Sequence, residues 1–233
     1  MIVTVIAILV VGGFVQGSTG SGFGVLTAPV LLLIAPHLVP GPLLWLAAAV
    51  CAAGAWAERA HIDRGFVGRA VLAAIPGSAV GFVALRFVDP DVLMTVIAVV
   101  VMASGFLGCA GVGVRATGRT AVAAGFCSGA LNYAAALPGP ALALAYRTPD
   151  AAQMRSTLST VFAVMSAATA CAVIVVGGGH VGDIATAAAL SVPVALGAIA
   201  ARAVAHRLTS STVARAGMVL SIVAGVGLLM AHV

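Results

Sequence analysis

The sequence contains very little charge and no lysine. Charged residues make up 7% of its 233 residues, hydrophobic residues make up 62%, and all eleven basic residues are arginines. A chain this apolar cannot cover itself with a hydrophilic surface, which excludes a water-soluble globular protein. A helix needs about 20 apolar residues to cross a bilayer, so the chain has room for about eight membrane elements. The composition therefore predicts an all-α polytopic membrane protein that is surrounded by lipid.

Residues that usually build metal sites and active sites are also scarce. The four cysteines are far apart, and no Cys-x-x-Cys pair or Cys/His cluster occurs, so neither a metal nor a cofactor is predicted. No Asp, Glu or His lies deep inside a predicted span, which argues against a buried proton relay. An intramembrane protease using Ser18 or Ser21 would need a nearby base, and the histidines lie near span ends. We therefore expect a protein that is not an enzyme.

Glycine and proline interrupt two of the apolar segments. Residues 1–36 form one apolar run that is broken by the glycine-rich stretch 17–24. As one straight helix this run would be about 54 Å long, whereas the hydrocarbon core of a bilayer is about 30 Å thick. A second run, residues 120–146, is interrupted at Asn132-Tyr133 and again at Pro138-Gly139-Pro140. Both runs are predicted to form broken, re-entrant helical hairpins.

Similar landmarks occur in the same order in both halves of the chain. They are Gly13-Phe14-x-x-Gly17 and Gly125-Phe126-x-x-Gly129, Pro76 with Gly81 and Pro193 with Gly197, and Gly105 and Gly225. This recurrence is typical of an internal duplication, with a first repeat over residues 1–114 and a second over 115–233. Each repeat is predicted to contain its hairpin and three transmembrane helices, at 43–57, 66–85 and 92–111 and at 156–176, 184–201 and 213–231.

The arginines predict the orientation of the chain. If each broken run returns to the face from which it came, ten of the eleven arginines lie on one side and only Arg86 lies on the other. Basic loops mark the cytoplasmic side, so both termini are predicted to lie outside a bacterial cytoplasmic membrane. The second repeat is then inverted relative to the first, and the two hairpin tips meet near the midplane. Because the arginines mark topology, nucleic acid is not predicted as a partner.

The two hairpin tips are the predicted binding site for a small anion. Helix breaks are tolerated in a membrane where they line a cavity, and the N-terminal ends of broken helices carry partial positive charge. The tips supply polar side chains and closely approachable backbone at Gln16, Ser18, Thr19, Gly20, Ser21 and Gly22, and at Ser128, Asn132 and Tyr133. The alternative is that the glycines only pack helices together and the hydroxyls only cap helix ends.

The span after the second hairpin begins with an unusually polar stretch, residues 155–160. Arg155 is expected at the cytoplasmic mouth, where it would attract anions. Thr157 and Thr160 are three residues apart and share a helix face, which is predicted to line the cavity. The alternatives are that Arg155 is a topology anchor and that the hydroxyls bond back to their own helix.

The glycine and proline patterns resemble those of the TauE/SafE family of membrane transporters. The resemblance is carried by Gly13-Phe14-x-x-Gly17, by the break from Gly20 to Gly24 with Pro29, by the second-half echo with Pro138-Gly139-Pro140, and by Pro76/Gly81 and Pro193/Gly197. It covers essentially the whole chain and implies transport, often outward, of sulfite, sulfonates such as sulfoacetate, or related small organic anions. We expect a secondary transporter that binds its anion between the tips. The alternative is a channel with paired half-helices, and a homo-oligomer is compatible with the sequence.

Overall fold

The computed structural model describes residues 2–110, 116–135 and 138–205, and single positions at 207, 209, 212, 215, 219, 222, 223, 226, 227 and 230. All regular elements in these residues are helical. The α-helices are α1 (Ile2–Thr19), α2 (Phe23–Ile34), α3 (Gly41–Ala57), α4 (Arg64–Phe87), α5 (Pro90–Cys109), α6 (Gly118–Ala135), α7 (Gly139–Ala145), α8 (Ala151–Val175) and α9 (Gly182–Ala205). Short 3-10 helices occur at Pro36–Leu38 and Arg59–His61.

Four of these helices, α1, α4, α8 and α9, are long and apolar enough to cross a membrane. The predicted all-α polytopic membrane class is therefore confirmed. Helices α3, α4, α5, α8 and α9 overlap the spans predicted from the sequence. The last predicted span, 213–231, and the boundary between the predicted repeats lie outside the continuously described residues.

The first broken run doubles back on itself. Helix α1 continues through its glycines to Thr19, and α2 begins at Phe23 after a break of only three residues. A Cβ atom added to Gly12 of α1 would touch the side chains of Phe23 and Thr27 of α2. Two helices joined end to end in one direction could not bring these positions together. That this hairpin enters and leaves one face of a bilayer stays a prediction.

The second broken run differs from the expectation at one point. Helix α6 continues through Asn132 and Tyr133 to Ala135, so the predicted interruption at these two residues is wrong. Polar side chains do not disturb the backbone hydrogen bonds of a helix, whereas proline removes a donor. The next helix, α7, begins at Gly139, directly after Pro138.

The recurring glycines bring pairs of long helices into close contact. Helix α1 packs along α9, and α4 packs along α6. A Cβ at Gly13 would overlap the Val194 carbonyl of α9, and a Cβ at Gly129 would overlap the Ala74 carbonyl of α4. Small residues allow helix backbones to approach in this way in membrane proteins. These motif glycines therefore determine helix packing.

Helices α3 and α8 pack against each other at the centre of the fold. Helix α9 packs on α1 and α3 on one side, and α4 packs on α6 and α8 on the other. The contacts of α9 with α1 and α3 thus correspond to the contacts of α4 with α6 and α8. An internal duplication would produce such an arrangement, although the inverted relation of the two halves stays a prediction.

Candidate functional site

A polar cavity of about 360 Å³ lies among α1, α3, α8 and α9. We call it the polar vestibule. Its lining contains three charged side chains, two other polar side chains and small residues that leave the space open: Arg155, Arg202, Glu58, Gln16, Ser159, Gly17, Gly20, Val50, Ala53, Gly54, Ala57 and Ala198. Two arginines in one concave site favour an anionic ligand.

Arg155 lies near the start of α8 and is 7% exposed. Its guanidinium contacts both carboxylate oxygens of Glu58, which caps the carboxyl end of α3. The Nε atom donates to Oε2 at 3.3 Å, and NH2 forms an ion pair with Oε1. A largely buried guanidinium requires such an acceptor because desolvation of an isolated charge is costly. Arg155 is thus positioned to bind a planar pair of oxygen atoms.

Gly20 brings the first helix break against the backbone of α8. Its φ is 74°, in the left-handed region that glycine adopts without a steric penalty. A Cβ at this position would lie 2.5 Å from the Arg155 Cα and 2.7 Å from the Arg155 carbonyl oxygen. Both the backbone conformation and the close approach therefore require glycine here.

Two side chains connect the first break to α8. Gln16 accepts a hydrogen bond from the Phe23 amide at 3.2 Å and donates one to the Ser159 hydroxyl at 3.4 Å. Ser159 in turn donates to the Gly20 carbonyl at 3.3 Å. The sequence places Ser159 four residues after Arg155, so both face the same side of α8. This network fixes the polar end of the vestibule.

The two helix breaks meet beyond the polar vestibule. A Cβ at Gly139, at the start of α7, would lie 3.3 Å from a methyl carbon of Val25 in α2. The cavity at this junction measures only about 20 Å³ and is lined by residues of both breaks, among them Gly22, Phe23 and Pro138, together with Ser166 of α8. Roughly 10–15 Å³ is needed to hold one water molecule. The cavity found at this junction is therefore close to the size of a single water molecule.

A second large cavity, of about 350 Å³, lies among α4, α6 and α8. We call it the apolar cavity. None of the described residues that line it is charged; they are Val71, Ala74, Ile75, Ser78, Ala79, Phe82, Tyr133, Val164, Met165, Ala168, Thr169, Ala172 and Val176. It lies beside the C-terminal half of α8, whereas Arg155 lies near the start of this helix.

Comparison with protein families identifies one that accounts for nearly the whole chain. The model of the sulfite exporter TauE/SafE family matches residues 5–228. The chain belongs to the TauE/SafE family. The family and the four long apolar helices together make it a multi-pass membrane transporter of the class that exports sulfite and related sulfur-containing anions. Comparisons with curated proteins and with solved structures each found no match.

In this TauE/SafE protein, the other predicted residues of the first tip bond mainly to local backbone. Ser18 donates to the Phe14 carbonyl at 2.9 Å, and Thr19 donates to the Val15 carbonyl at 2.8 Å. The Ser21 amide donates to the Thr19 hydroxyl at 3.3 Å. All three side chains are buried. Their hydrogen bonds satisfy polar groups at the end of α1. Of the predicted tip residues, only Gln16 and Gly20 line the polar vestibule.

The predicted residues of the second tip face α8 and the apolar cavity. Asn132 donates to the Thr169 hydroxyl at 2.8 Å and to the Met165 carbonyl at 3.3 Å, and it is 1% exposed. Tyr133 lines the apolar cavity and packs edge to face on Phe82. Ser128 is fully buried, at 0% exposure. Asn132 therefore joins α6 to α8, and none of the three residues lines the polar vestibule.

Of the polar residues at the start of α8, Arg155 and Ser159 line the polar vestibule. Thr157 accepts a hydrogen bond from the Asp63 amide at 3.0 Å and donates to the Tyr146 hydroxyl at 3.3 Å. Thr160 donates back to the Ser156 carbonyl at 2.7 Å. The two threonines therefore have structural partners away from the two arginines.

Sequence reasoning did not select Ser159, Glu58 or Arg202 as site residues. The spacing of Ser159 from Arg155 was a usable signal, because residues four apart share a helix face. Glu58 and Arg202 lie on α3's end and on α9, far from residue 155 in sequence. Only the packing of α9 on α1 and of α3 on α8 brings them together.

Proposed function

We propose that this transporter exports a small sulfur oxyanion, either sulfite or a sulfonate such as sulfoacetate, and that the anion first binds in the polar vestibule. The observation that carries the proposal is the pairing of Arg155 and Arg202 with Gln16 and Ser159 in one cavity. A guanidinium binds two oxygen atoms of one anion through parallel N–H donors. Sulfite and sulfonate groups present such pairs of oxygen atoms.

The vestibule has the size expected of a binding site, whereas the junction of the breaks does not. At about 360 Å³ the vestibule falls in the usual range of small-molecule pockets, roughly 300–1,000 Å³. The junction measures only about 20 Å³. Passage therefore requires the two hairpin tips to move apart, as in a carrier that exposes its site to one side at a time. This closed junction favours a carrier over a permanently open channel.

The direction of transport follows from the membrane potential. The arginine distribution predicts that the vestibule faces the cytoplasm. An inside-negative potential favours the exit of an anion by about 2.3 kcal/mol per charge per 100 mV. A potential of this sign can therefore drive export without a carboxylate relay.

Flux measurements in vesicles test this function. We expect purified protein in lipid vesicles to catalyse saturable uptake of sulfite and sulfoacetate, with counterflow and with acceleration when the receiving side is positive. Acetate is expected to compete weakly because its two oxygen atoms can occupy one guanidinium but leave no third oxygen atom for the second arginine. Flux that rises linearly with concentration and shows no counterflow would support the channel instead. Absence of sulfur-anion flux would contradict the proposal.

A further inference from the structure

Glu58 is the negative charge in a cavity otherwise suited to anions. It caps the carboxyl end of α3, and its side chain is 27% exposed, whereas that of Arg155 is 9% exposed. The carboxylate belongs to the first half of the chain and its arginine partner belongs to the second. Both side chains line the polar vestibule.

The Glu58 carboxylate occupies the surface of Arg155 that an oxyanion would use. Its two oxygen atoms contact Nε and NH2 of the same guanidinium. This is the forked geometry in which arginine binds carboxylate, phosphate and comparable anions. A solute anion and Glu58 cannot both hold these two donors.

The nearby carboxylate, Asp63, has a different task. Asp63 accepts the Phe66 amide at 2.9 Å as the N-cap of α4, and it accepts the Tyr146 hydroxyl at 3.4 Å. It does not line the polar vestibule. The same loop therefore carries one carboxylate that stabilises the fold and one that faces the proposed site, which makes Asp63 a matched control.

We propose that Glu58 acts as a built-in competitor of the transported anion. This inference rests on the proposed function of the vestibule. In the empty carrier Glu58 holds Arg155, the anion displaces it on binding, and Glu58 returns to Arg155 as the anion leaves. With two arginines and one glutamate the vestibule has a formal charge of +1, because +2 and −1 sum to +1. The competitor keeps binding weak enough for release.

Removal of the competitor is expected to tighten binding and slow turnover together. In Glu58→Gln the vestibule carries two positive charges without the carboxylate. We expect the concentration of sulfite or sulfoacetate that gives half-maximal flux to fall about tenfold, the factor for one charge-assisted hydrogen bond of usual strength. Maximal flux is expected to fall as well, because release no longer has the carboxylate to replace the anion on Arg155.

The experiment compares wild type, Glu58→Gln and Asp63→Asn as full-length protein in vesicles. Flux is measured against sulfite and sulfoacetate concentration, and binding of the same anions is measured in detergent by thermal shift. A lower half-maximal concentration, a larger anion-induced thermal shift and a lower maximal flux in Glu58→Gln alone would support the inference. Asn can still cap α4, so Asp63→Asn is expected to stay within about twofold of wild type.

Two results distinguish the inference from the proposed function. If wild type transports and binds sulfur oxyanions but Glu58→Gln binds them equally or more weakly, the competitor role is wrong and the proposed function stands. If wild type neither binds nor transports these anions, the proposed function itself fails. Equal changes in Glu58→Gln and Asp63→Asn would assign both carboxylates to fold stability and would also overturn the inference.

Discussion

The polar vestibule and the apolar cavity have nearly equal volumes, about 360 and 350 Å³, but opposite linings. The first presents Arg155, Arg202 and Glu58, whereas the described lining of the second contains no charged side chain. They lie against corresponding helices of the two halves and along opposite halves of α8. Similar packing thus produces two spaces of different polarity. A cation also lies beside the apolar cavity, because the Arg86 guanidinium is 5.0 Å from the centre of the Phe82 ring, which lines that cavity.

The largest expected effect is the removal of Arg155. In Arg155→Gln the vestibule keeps Glu58 but loses its buried cation, so its formal charge falls from +1 to 0. We expect anion flux at low concentration to fall about 100-fold, the effect of truncating a buried hydrogen-bonded charge pair. This loss is measured as the dependence of flux on anion concentration in vesicles. Arg59→Gln is the control, because Arg59 is exposed and rests on the Trp56 ring; equal losses in the two variants would contradict a specific role for Arg155.

The next effect concerns the helix contacts that hold both cavities. In Gly197→Ala the new methyl group would overlap the Val10 carbonyl of α1. We expect a loss of about 1–3 kcal/mol in stability, the usual effect of overpacking, detectable as a lower melting temperature in detergent. Gly68→Ala is the control because a Cβ there meets nothing within 4 Å. An unchanged melting temperature for Gly197→Ala would disprove the close approach of α1 and α9.

A smaller effect is expected for the hydroxyl that joins the vestibule to the first break. Ser159→Ala removes the acceptor of Gln16 and the donor to Gly20. We expect about fivefold weaker transport at low anion concentration, equivalent to one ordinary hydrogen bond. Ser191→Ala is the control, because Ser191 only donates back to the Ala188 carbonyl of its own helix. Identical kinetics for Ser159→Ala and wild type would remove Ser159 from the site.

The smallest effect is expected in the apolar cavity. Ser78 lines this cavity and donates to the Gly129 carbonyl at 3.3 Å. Ser78→Ala should change anion flux by no more than about twofold, as for a substitution away from a binding site. Flux is measured in the same vesicles. A tenfold loss of flux would show that the apolar cavity also takes part in anion binding, contrary to the proposed difference between the two cavities.

The sequence was sufficient for the fold class and for most of the helices, because long apolar runs have few alternatives in lipid. It was misleading at Asn132 and Tyr133, which look like a break but remain inside α6. A polar pair leaves the helical hydrogen bonds intact, and α8 supplies partners for the Asn132 side chain. Helix α1 likewise continues through its glycines, since their cost is offset by the packing against α9.

The site was less predictable than the fold. Gln16, Gly20 and Arg155 were predicted because each stands at a break or at the polar start of a span, and all three line the vestibule proposed as the site. Arg202 was counted only as a marker of topology, because nothing in its neighbourhood on α9 indicates which helix it faces. Contacts between distant helices depend on packing, and hydrophobic periodicity does not encode them.

The contact between Gly20 and Arg155 has a mechanical consequence. The turn that closes the first hairpin lies directly on the backbone of Arg155, whose guanidinium belongs to the proposed anion site. No flexible side chain separates the two backbones, so little slack exists between them. A movement of the turn that opens the junction between the two breaks is therefore expected to move the Arg155 guanidinium as well. Opening of the pathway and weakening of the contact with the anion would then occur together.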